Sequence, residues 1–312
     1  MQIRDFTITD LAAVVQIQNA VVPLQALSKS ELEHDLTKLE ENVRPVFIVA
    51  QEYGTVLGAA NYHRFAGAYH PNKFGIEIWV QPQSQGRGIG SALYAALLEK
   101  LAPLEPISVN TQVRESDARA MRFAQSRGYN ELKRDFESLL DIGNFLTAPY
   151  QAKILNLESS GVQLINWQEM GSLERRQEFH EVFETVRLDV PRAEPATRIT
   201  FEFFNENILS DAETLQEASF YALENNKIIG FTGCFRGARE GWVDQWLTAT
   251  TREARGRGIA TALKTKQIEV AQQLGFHTIR TDNDTRNTAM LAINDKLGFV
   301  RQPAVLVMKK EF

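Results

Sequence analysis

A nine-residue phrase occurs twice in this chain, as QGRGIGSAL over residues 85–93 and as RGRGIATAL over residues 255–263. The copies begin 170 residues apart (255 − 85). The same offset joins a second pair of markers, because it takes Gly128 in SRGY to Gly298 in KLGF. Two markers in one register indicate a duplicated domain, and an offset this long excludes a solenoid repeat, whose period is ~20–50 residues.

The chain length of 312 residues fits two domains. We predict an N-terminal domain over residues 1–142, a linker over 143–161 with a helix in APYQAKILNLESSG, and a C-terminal domain over 162–312. Each half reads as a hairpin, a further strand, the glycine phrase with its helix, and then a strand–helix–strand crossover. The predicted fold class is α/β of the α+β type, in which each of two tandem domains has a mixed, mostly antiparallel sheet flanked by helices.

The charge and the cysteine content argue against several classes of function. The formal net charge is −5, whereas a nucleic-acid-binding protein needs a basic face to neutralise phosphates. The single cysteine, Cys234, lies in an apolar run, which favours a buried structural thiol over a nucleophile. No His/Cys cluster predicts a metal site, and no apolar run approaches the ~18 residues of a membrane span. We therefore expect a cytoplasmic protein without nucleic-acid or membrane partners, as a monomer or weak dimer.

In both halves the glycine phrase lies between a predicted strand and a long predicted helix. Glycines at alternate positions allow the backbone to curl and another group to approach it closely. Its N–H groups, next to the positive end of a helix dipole, would form an anion site suited to a pyrophosphate. Neither copy matches the dinucleotide fingerprint or the P-loop. A glycine-rich turn that only packs the helix on the sheet is the alternative, and two copies in one register favour the binding site.

These features resemble the GNAT superfamily of acyl-CoA N-acyltransferases. Both copies match the superfamily signature Q/R-x-x-G-x-G/A, the first through Gln85, Gly88 and Gly90, and the second through Arg255, Gly258 and Ala260. The stretch NTAMLAINDKLGF, Asn287 to Phe299, is similar to the second marker of the family. The resemblance covers nearly the whole chain twice, as in two-domain members such as mycothiol synthase.

The resemblance implies acetyl-CoA as the acyl donor, with its pyrophosphate on the glycine phrases. The residues that it assigns to cofactor binding are Val80, Gln85, Gly86, Arg87, Gly88, Ile89, Gly90 and Ser91 in the first half, and Thr250, Arg255, Gly256, Arg257, Gly258, Ile259, Ala260, Thr261, Asn287 and Asn294 in the second. Arg87 and Arg257 either assist the phosphates or form salt bridges at the helix starts. The tyrosine that commonly protonates the leaving thiolate in this family would align with Asn294 and with Ala124, and neither is an acid.

A carboxylate usually accepts the proton of the attacking amine, and the two catalytic candidates are Asp244 and Glu77. Asp244 lies 11 residues before the second phrase (255 − 244) and Glu77 lies 8 before the first (85 − 77). These counts place the two side chains on opposite faces of equivalent strands unless a bulge intervenes. Trp242 and Trp246 flank Asp244 and would desolvate it, which raises the pKa of a carboxyl group. The alternatives are that Glu77 is a solvated strand residue and that the two tryptophans belong to the core.

The sequence thus predicts an N-acetyltransferase that moves an acetyl group from acetyl-CoA to a primary amine of a small molecule. The C-terminal domain is favoured as the catalyst because it has Asn287 and Asp244, whereas the first half has Asp117 in place of Asn287. A carboxylate is less suited than an amide to a position beside a phosphorylated cofactor. Two alternatives stay open: a coenzyme A-binding regulatory or structural protein without turnover, and a peptide or protein N-acetyltransferase.

Overall fold

The computed structural model describes residues 1–312 and divides the chain into two compact units. The first unit consists of Met1–Lys133, Ala193–Thr197 and Val305–Phe312. The second unit consists of Arg134–Arg192 and Arg198–Ala304. Each unit therefore takes most of its residues from one half of the sequence and completes itself with segments from elsewhere in the chain.

Each unit is a sheet with helices packed on it. The strands, numbered along the chain, are β1 (Gln2–Asp5), β2 (Val46–Glu52), β3 (Thr55–His63), β4 (Lys73–Val80), β5 (Ser108–Arg114), β6 (Asn130–Asp141), β7 (Gln163–Asn166), β8 (Phe220–Glu224), β9 (Lys227–Arg236), β10 (Trp242–Thr250), β11 (Thr278–Asp284), β12 (Val300–Arg301) and β13 (Val305–Glu311). The helices are α1 (Leu11–Val21), α2 (Lys29–Thr37), α3 (Ile89–Leu101), α4 (Ala118–Gln125), α5 (Ala148–Ser159), α6 (Leu173–Arg187), α7 (Phe201–Phe204), α8 (Ile259–Gln273) and α9 (Thr288–Leu297). None of these helices combines the length and the apolar character that crossing a membrane requires.

The two sheets have the same strand order. In the first unit the order is β1-β2-β3-β4-β5-β13, and in the second it is β7-β8-β9-β10-β11-β6, with β12 also paired to β6. The pairs β4–β5 and β10–β11 are parallel, and the neighbouring strand pairs are antiparallel. The predicted fold class, two tandem α+β units with mixed, mostly antiparallel sheets, is confirmed.

The final strand of each half pairs within the other half's unit. β6 follows the last helix of the first half but pairs with β11, and β13 ends the second half but pairs with β5. The predicted boundaries, 1–142 and 162–312, therefore need correction, because they assign both strands to the wrong sheet. The two strands have the same place in the repeat, so their local pattern does not specify which sheet edge each one joins.

The predicted linker, residues 143–161, contains α5, which belongs to the second unit. Ile154 and Leu157 of α5 are buried in one apolar cluster with Ile259 and Leu263 of α8. The segment is thus part of a core and not a free connection. This packing places α5 beside the start of α8, which directly follows the second glycine phrase.

The helices after the glycine phrases form the centre of each core. The apolar residues Ile89, Leu93, Leu97 and Leu101 recur every four positions, a spacing that predicts one buried helix face. The structure confirms this face of α3, because all four side chains are at most 2% exposed. Burying a leucine side chain stabilises a fold by ~1.5–3 kcal/mol, so this face anchors the helix firmly. Because this face holds α3 in place, it also holds the first turn of the helix, which begins directly after Gly88.

Candidate functional site

The two glycine phrases have the same backbone conformation. Gly86 and Gly88 have φ angles of 82° and 83°, and Gly256 and Gly258 have φ angles of 75° and 84°. These values lie in the left-handed region, which glycine adopts without a steric penalty. Gly88 and Gly258 directly precede α3 and α8, and no side chain caps either helix. The N–H groups of each first turn are therefore available to an anion.

A cavity of about 430 Å³ lies against the second phrase. It extends from the end of β10 across the start of α8 to the start of α9. The predicted cofactor residues that line it are Thr250, Arg255, Gly256, Gly258, Ile259, Ala260, Thr261 and Asn287. Asn287 also accepts a hydrogen bond from Met290 N at 3.3 Å, which fixes its amide at the start of α9. The structure thus brings together residues that are up to 37 positions apart in sequence (287 − 250).

Two predicted residues of the second half do not line this cavity. Arg257 forms an ion pair with Glu224, with 2.6 Å between Nη2 and Oε1, as expected for a salt bridge at the helix start. Asn294 is only 1% exposed, and its Nδ2 donates to Asn283 Oδ1 at 2.6 Å. The assignment of Asn294 to the cofactor therefore needs correction, because its side chain faces the core beneath α9.

Neighbouring side chains engage the polar residues of the first phrase. Gln85 donates to Val80 O at 3.1 Å and accepts from Arg119 at 2.8 Å. Ser91 Oγ accepts from Arg127 Nη2 at 2.8 Å. Arg87 pairs with Glu52 at 2.7 Å, the same kind of salt bridge that Arg257 forms. The backbone of this loop matches the second loop, whereas the side chains around it differ.

Lys153 of α5 is a cavity residue that the sequence analysis missed. A methyl group placed at Gly258 would lie 2.2 Å from Lys153 Cε and 2.9 Å from Nζ, so the lysine lies directly over the loop. A methyl group placed at Gly88 would have no neighbouring atom within 4 Å. Lysine in a helix between two domains gives no signal of binding in the sequence, because most such lysines are solvated. Only the packing of α5 on α8 reveals its position.

A carboxylate lies on the cavity wall between two guanidinium groups. Asp189 Oδ1 is 2.5 Å from Arg252 Nη2, and its other oxygen pairs with Arg255. Hydrogen bonds from Arg252 and then from Arg255 hold the pKa of Asp189 well below its usual range. This wall therefore stabilises negative charge, and an incoming phosphate would compete with Asp189 for Arg255.

The predicted base Asp244 lies outside the cavity lining and contacts Arg280. Arg280 donates to Asp244 Oδ1 at 3.1 Å, and it also pairs with Glu137 at 3.2 Å and Asp282 at 3.3 Å. Burial raises the pKa of Asp244, which is the predicted direction, and the charge of Arg280 opposes the rise. Three carboxylates thus surround one guanidinium, which leaves this cluster with two net negative charges if all are ionised.

A β-bulge in β10 determines how Asp244 relates to Glu77. Gln245 and Leu247 pair with the consecutive residues Cys234 and Gly233 of β9, so one residue between them is extra. The pairing of β4 with β3 is regular over the corresponding stretch. The extra residue changes the number of regularly paired residues between Asp244 and its glycine phrase by one. The side chains of Asp244 and Glu77 therefore lie on the same face of equivalent strands.

A buried polar network beneath the cavity was also missed. Lys264 of α8 is 2% exposed and donates to Gln245 Oε1, and burial lowers the pKa of its ammonium to about 7. Gln245 Nε2 donates in turn to Thr248 Oγ1 at 2.8 Å, and Thr248 lines the cavity. Lysine is almost never fully buried, so a sequence pattern assigns such a residue to the surface.

Cys234 is a structural residue, as the sequence predicts. It is 1% exposed, and burial raises the pKa of its thiol to about 12. A thiol with this pKa is almost entirely protonated near neutral pH and is a poor nucleophile. The chemistry of the site therefore depends on other groups.

Comparison with known proteins gives matches in both halves of the chain. The model of the Acetyltransferase (GNAT) family matches residues 14–129 and 176–299. N-alpha-acetyltransferase 30 of Schizosaccharomyces pombe is 28% identical over 112 residues, which are 35% of this chain and 70% of that protein.

Solved structures match over the full length. A tandem GNAT protein from the clavulanic acid biosynthesis pathway has a TM-score of 0.77 and 17% identity, covering 99% of this chain and 98% of its own. A GCN5-related N-acetyltransferase from Sphaerobacter thermophilus has a TM-score of 0.72 and 18% identity, covering 99% and 95%. At these identities the likeness establishes the fold alone. Because the family model matches more than half of the chain in two separate regions, this protein belongs to the GNAT acetyltransferase family, as a tandem member.

Proposed function

We propose that this protein transfers an acetyl group from acetyl-CoA to a primary amine of a small molecule, and that the second unit is the catalyst. The observation that carries the proposal is the cavity of about 430 Å³ on the second glycine phrase. Membership of an acetyltransferase family supports acetyl transfer, and the cavity supports the choice of unit.

The donor groups of the cavity suit the pyrophosphate of acetyl-CoA. The first turn of α8 presents backbone N–H groups, and Arg255 and Lys153 bring a guanidinium and an ammonium to the same wall. Such groups are the usual partners of phosphate oxygens in proteins. Acetyl-CoA would supply the acetyl group as a thioester, whose carbonyl carbon is open to attack by a neutral amine.

The acceptor amine has a candidate site where β10 and β11 separate. The parallel pairing of these strands ends at Asp244 and Arg280, although both strands continue. The excess of carboxylates around Arg280 would attract a cationic amine, as described for Asp244, Glu137 and Asp282. The end of the parallel pairing at Asp244 and the raised pKa of its carboxyl group support Asp244 as the group that accepts the proton that the amine must lose before it attacks.

A peptide N-terminus is a second candidate acceptor. The observation that favours it is the similarity to N-alpha-acetyltransferase 30 of Schizosaccharomyces pombe, whose name states that activity. A free peptide α-amino group has a pKa of ~7.7–8.0, lower than that of an alkyl amine. It would need less help from a general base than a polyamine does.

The test is thiol release from acetyl-CoA with a panel of polyamines, aminoglycosides, amino acids and peptides. Asp244→Asn should lower kcat by a factor of ~10²–10⁴, the usual contribution of a general base, without changing the KM for acetyl-CoA. Asp282→Asn is the comparison variant, because Asp282 pairs with the same Arg280 but its side chain is 59% exposed. Its loss should raise the KM for the amine and leave kcat near the wild-type value. Binding of acetyl-CoA without thiol release from any amine would refute catalysis and favour a regulatory role. Turnover with peptides alone would favour the second candidate.

A further inference from the structure

The first unit has an unassigned polar cluster where its own parallel strands separate. The β4–β5 pairing ends at Gly75 and Asn110, as the β10–β11 pairing ends at Asp244 and Arg280. On its antiparallel side, β4 pairs with β3, and there Gly75 lies opposite His63. In the same way β10 pairs with β9, and there Asp244 lies opposite Phe235. By both pairings, Gly75 is therefore the structural equivalent of Asp244.

The imidazole of His63 fills the space that a side chain at position 75 would take. A methyl group at Gly75 would lie 2.5 Å from His63 Nε2 and 2.7 Å from Cε1. The Phe65 ring borders the same space, with its Cζ 2.9 Å from that methyl position, and it packs against the imidazole at 5.2 Å between centroids with nearly perpendicular planes. A basic nitrogen from β3 thus occupies, in the first unit, the position that a carboxylate from β10 occupies in the second.

A hydrogen-bond chain fixes which nitrogen of His63 carries the proton. Asn61 Nδ2 donates to Glu77 Oε2 at 2.9 Å, so the amide oxygen of Asn61 faces the other way. That oxygen is 3.1 Å from His63 Nδ1 and can only accept, which places the hydrogen on Nδ1. Nε2 is then the nitrogen with the free lone pair, and it has no hydrogen-bond partner within the protein.

The surrounding charges are consistent with a neutral imidazole. Burial lowers the pKa of His63, and the smaller effect of the Glu77 charge raises it. Two cations on the same face, Lys73 and Lys309, are paired with Glu194 at 2.6 Å and 3.4 Å. His63 therefore lies beside one carboxylate that no lysine neutralises.

We propose that His63 is the general base of a second acyl-transfer site in the first unit, with a primary amine as acceptor and acyl-CoA held by the loop of Gln85–Ser91. The proposal rests on the proposed function, since it assigns the same reaction to this unit. The loop supports it, because Gly86 and Gly88 have the conformation of Gly256 and Gly258. Glu77, which the sequence suggests as the base, becomes a positioning residue that acts through Asn61.

In the reaction, the amine nitrogen attacks the thioester carbonyl carbon and a C–N bond forms. His63 Nε2 takes the proton that the nitrogen loses. The C–S bond then breaks, and coenzyme A leaves as a thiolate that takes up one proton. The products are an N-acyl amide and coenzyme A, and no oxidant or reductant is involved.

The experiment isolates the first unit by blocking the second. Gly258→Glu places a carboxylate in the second phosphate loop, and Arg255→Glu serves as an independent blocking variant. In either background, thiol release is measured with the amine panel from pH 5.5 to 9. His63→Gln or His63→Phe is then added to each blocked variant. The phenylalanine matches Phe235, which has the equivalent position in the second unit.

We expect the blocked protein to keep a residual turnover whose kcat falls about 100-fold or more in both His63 variants. The KM for acetyl-CoA should stay within about twofold, since His63 pairs with Gly75, which lies ten residues before Gln85 at the start of the loop (85 − 75). Glu77→Gln should move the acid limb of the pH–rate profile to lower pH, because it removes the charge that raises the pKa of His63. A residue with only a structural role would not shift that limb.

Three results would overturn the proposal. Residual turnover that does not respond to His63→Gln or His63→Phe would remove His63 as the base. An active wild type whose turnover disappears in both blocked variants would leave the proposed function standing and exclude a second site. A wild type that acetylates no amine would refute the proposed function, and this proposal with it.

Discussion

Replacing Asp189 by asparagine should tighten the binding of acetyl-CoA. The carboxylate of Asp189 lies on the cavity wall and holds Arg255 and Arg252. Phosphate oxygens that enter the cavity must take Arg255 away from this carboxylate. Asparagine has nearly the same shape but no charge, so the change removes the competitor and leaves the guanidinium free.

The size of the effect follows from the exposure of the ion pair. The side chains of Arg255 and Asp189 are 48% and 20% exposed, and exposed pairs of this kind contribute ~0.2–1 kcal/mol. A change of ~0.7 kcal/mol corresponds to a factor of about three in the binding constant. We expect the Kd for acetyl-CoA to fall about threefold at low ionic strength, and the gain to shrink as salt screens the charges.

Titration calorimetry at two salt concentrations measures this change, and Glu224→Gln is the matched control. Glu224 holds Arg257, which belongs to the same loop but does not line the cavity. The control should leave the Kd unchanged although it alters the net charge by the same amount. Weaker binding by Asp189→Asn, or equal tightening in both variants, would refute the competition between Asp189 and the phosphates.

Three further changes test other parts of the structure. Lys153→Met should weaken acetyl-CoA binding about fivefold and reduce its salt dependence. Lys266→Met should do neither, because Lys266 pairs with Glu269 of the same helix and does not line the cavity. Leu97→Ala should lower the free energy of unfolding by ~2–5 kcal/mol in urea titrations, because Leu97 is 0% exposed. A hydrogen bond from Arg4 lowers the pKa of Asp10 to about 2, against ~3.9 when unfolded. Asp10 therefore stabilises the fold above pH ~4 and loses this effect as the pH falls towards ~2, so Asp10→Asn should flatten the unfolding free energy over that window.

Local patterns predicted the parts of the fold that depend on neighbours in sequence. The spacing of Leu93 and Leu97 predicts the buried face of α3. The pair Asn225–Asn226 is typical of a hairpin turn, and in the structure both residues have positive φ between β8 and β9. The glycine phrases gave the loop conformation because few other residues adopt φ near +84°. Each of these features is decided within about ten residues of chain.

Long-range pairing decides the features that the sequence did not predict. β6 and β13 have the same place in the repeat, and only the assembled sheets show which strand each one joins. Lys153 reaches the cavity because α5 packs on α8, and Gly75 creates the space for His63 from a different strand. No periodicity in the sequence records such contacts between distant elements.

We propose above that the second glycine phrase holds the phosphates of acetyl-CoA. Titration calorimetry with acetyl-CoA on the wild type, Gly258→Glu and Gly88→Glu tests it directly. We expect Gly258→Glu to lose a binding site that the wild type and Gly88→Glu both keep. Wild-type stoichiometry and affinity in Gly258→Glu would contradict it.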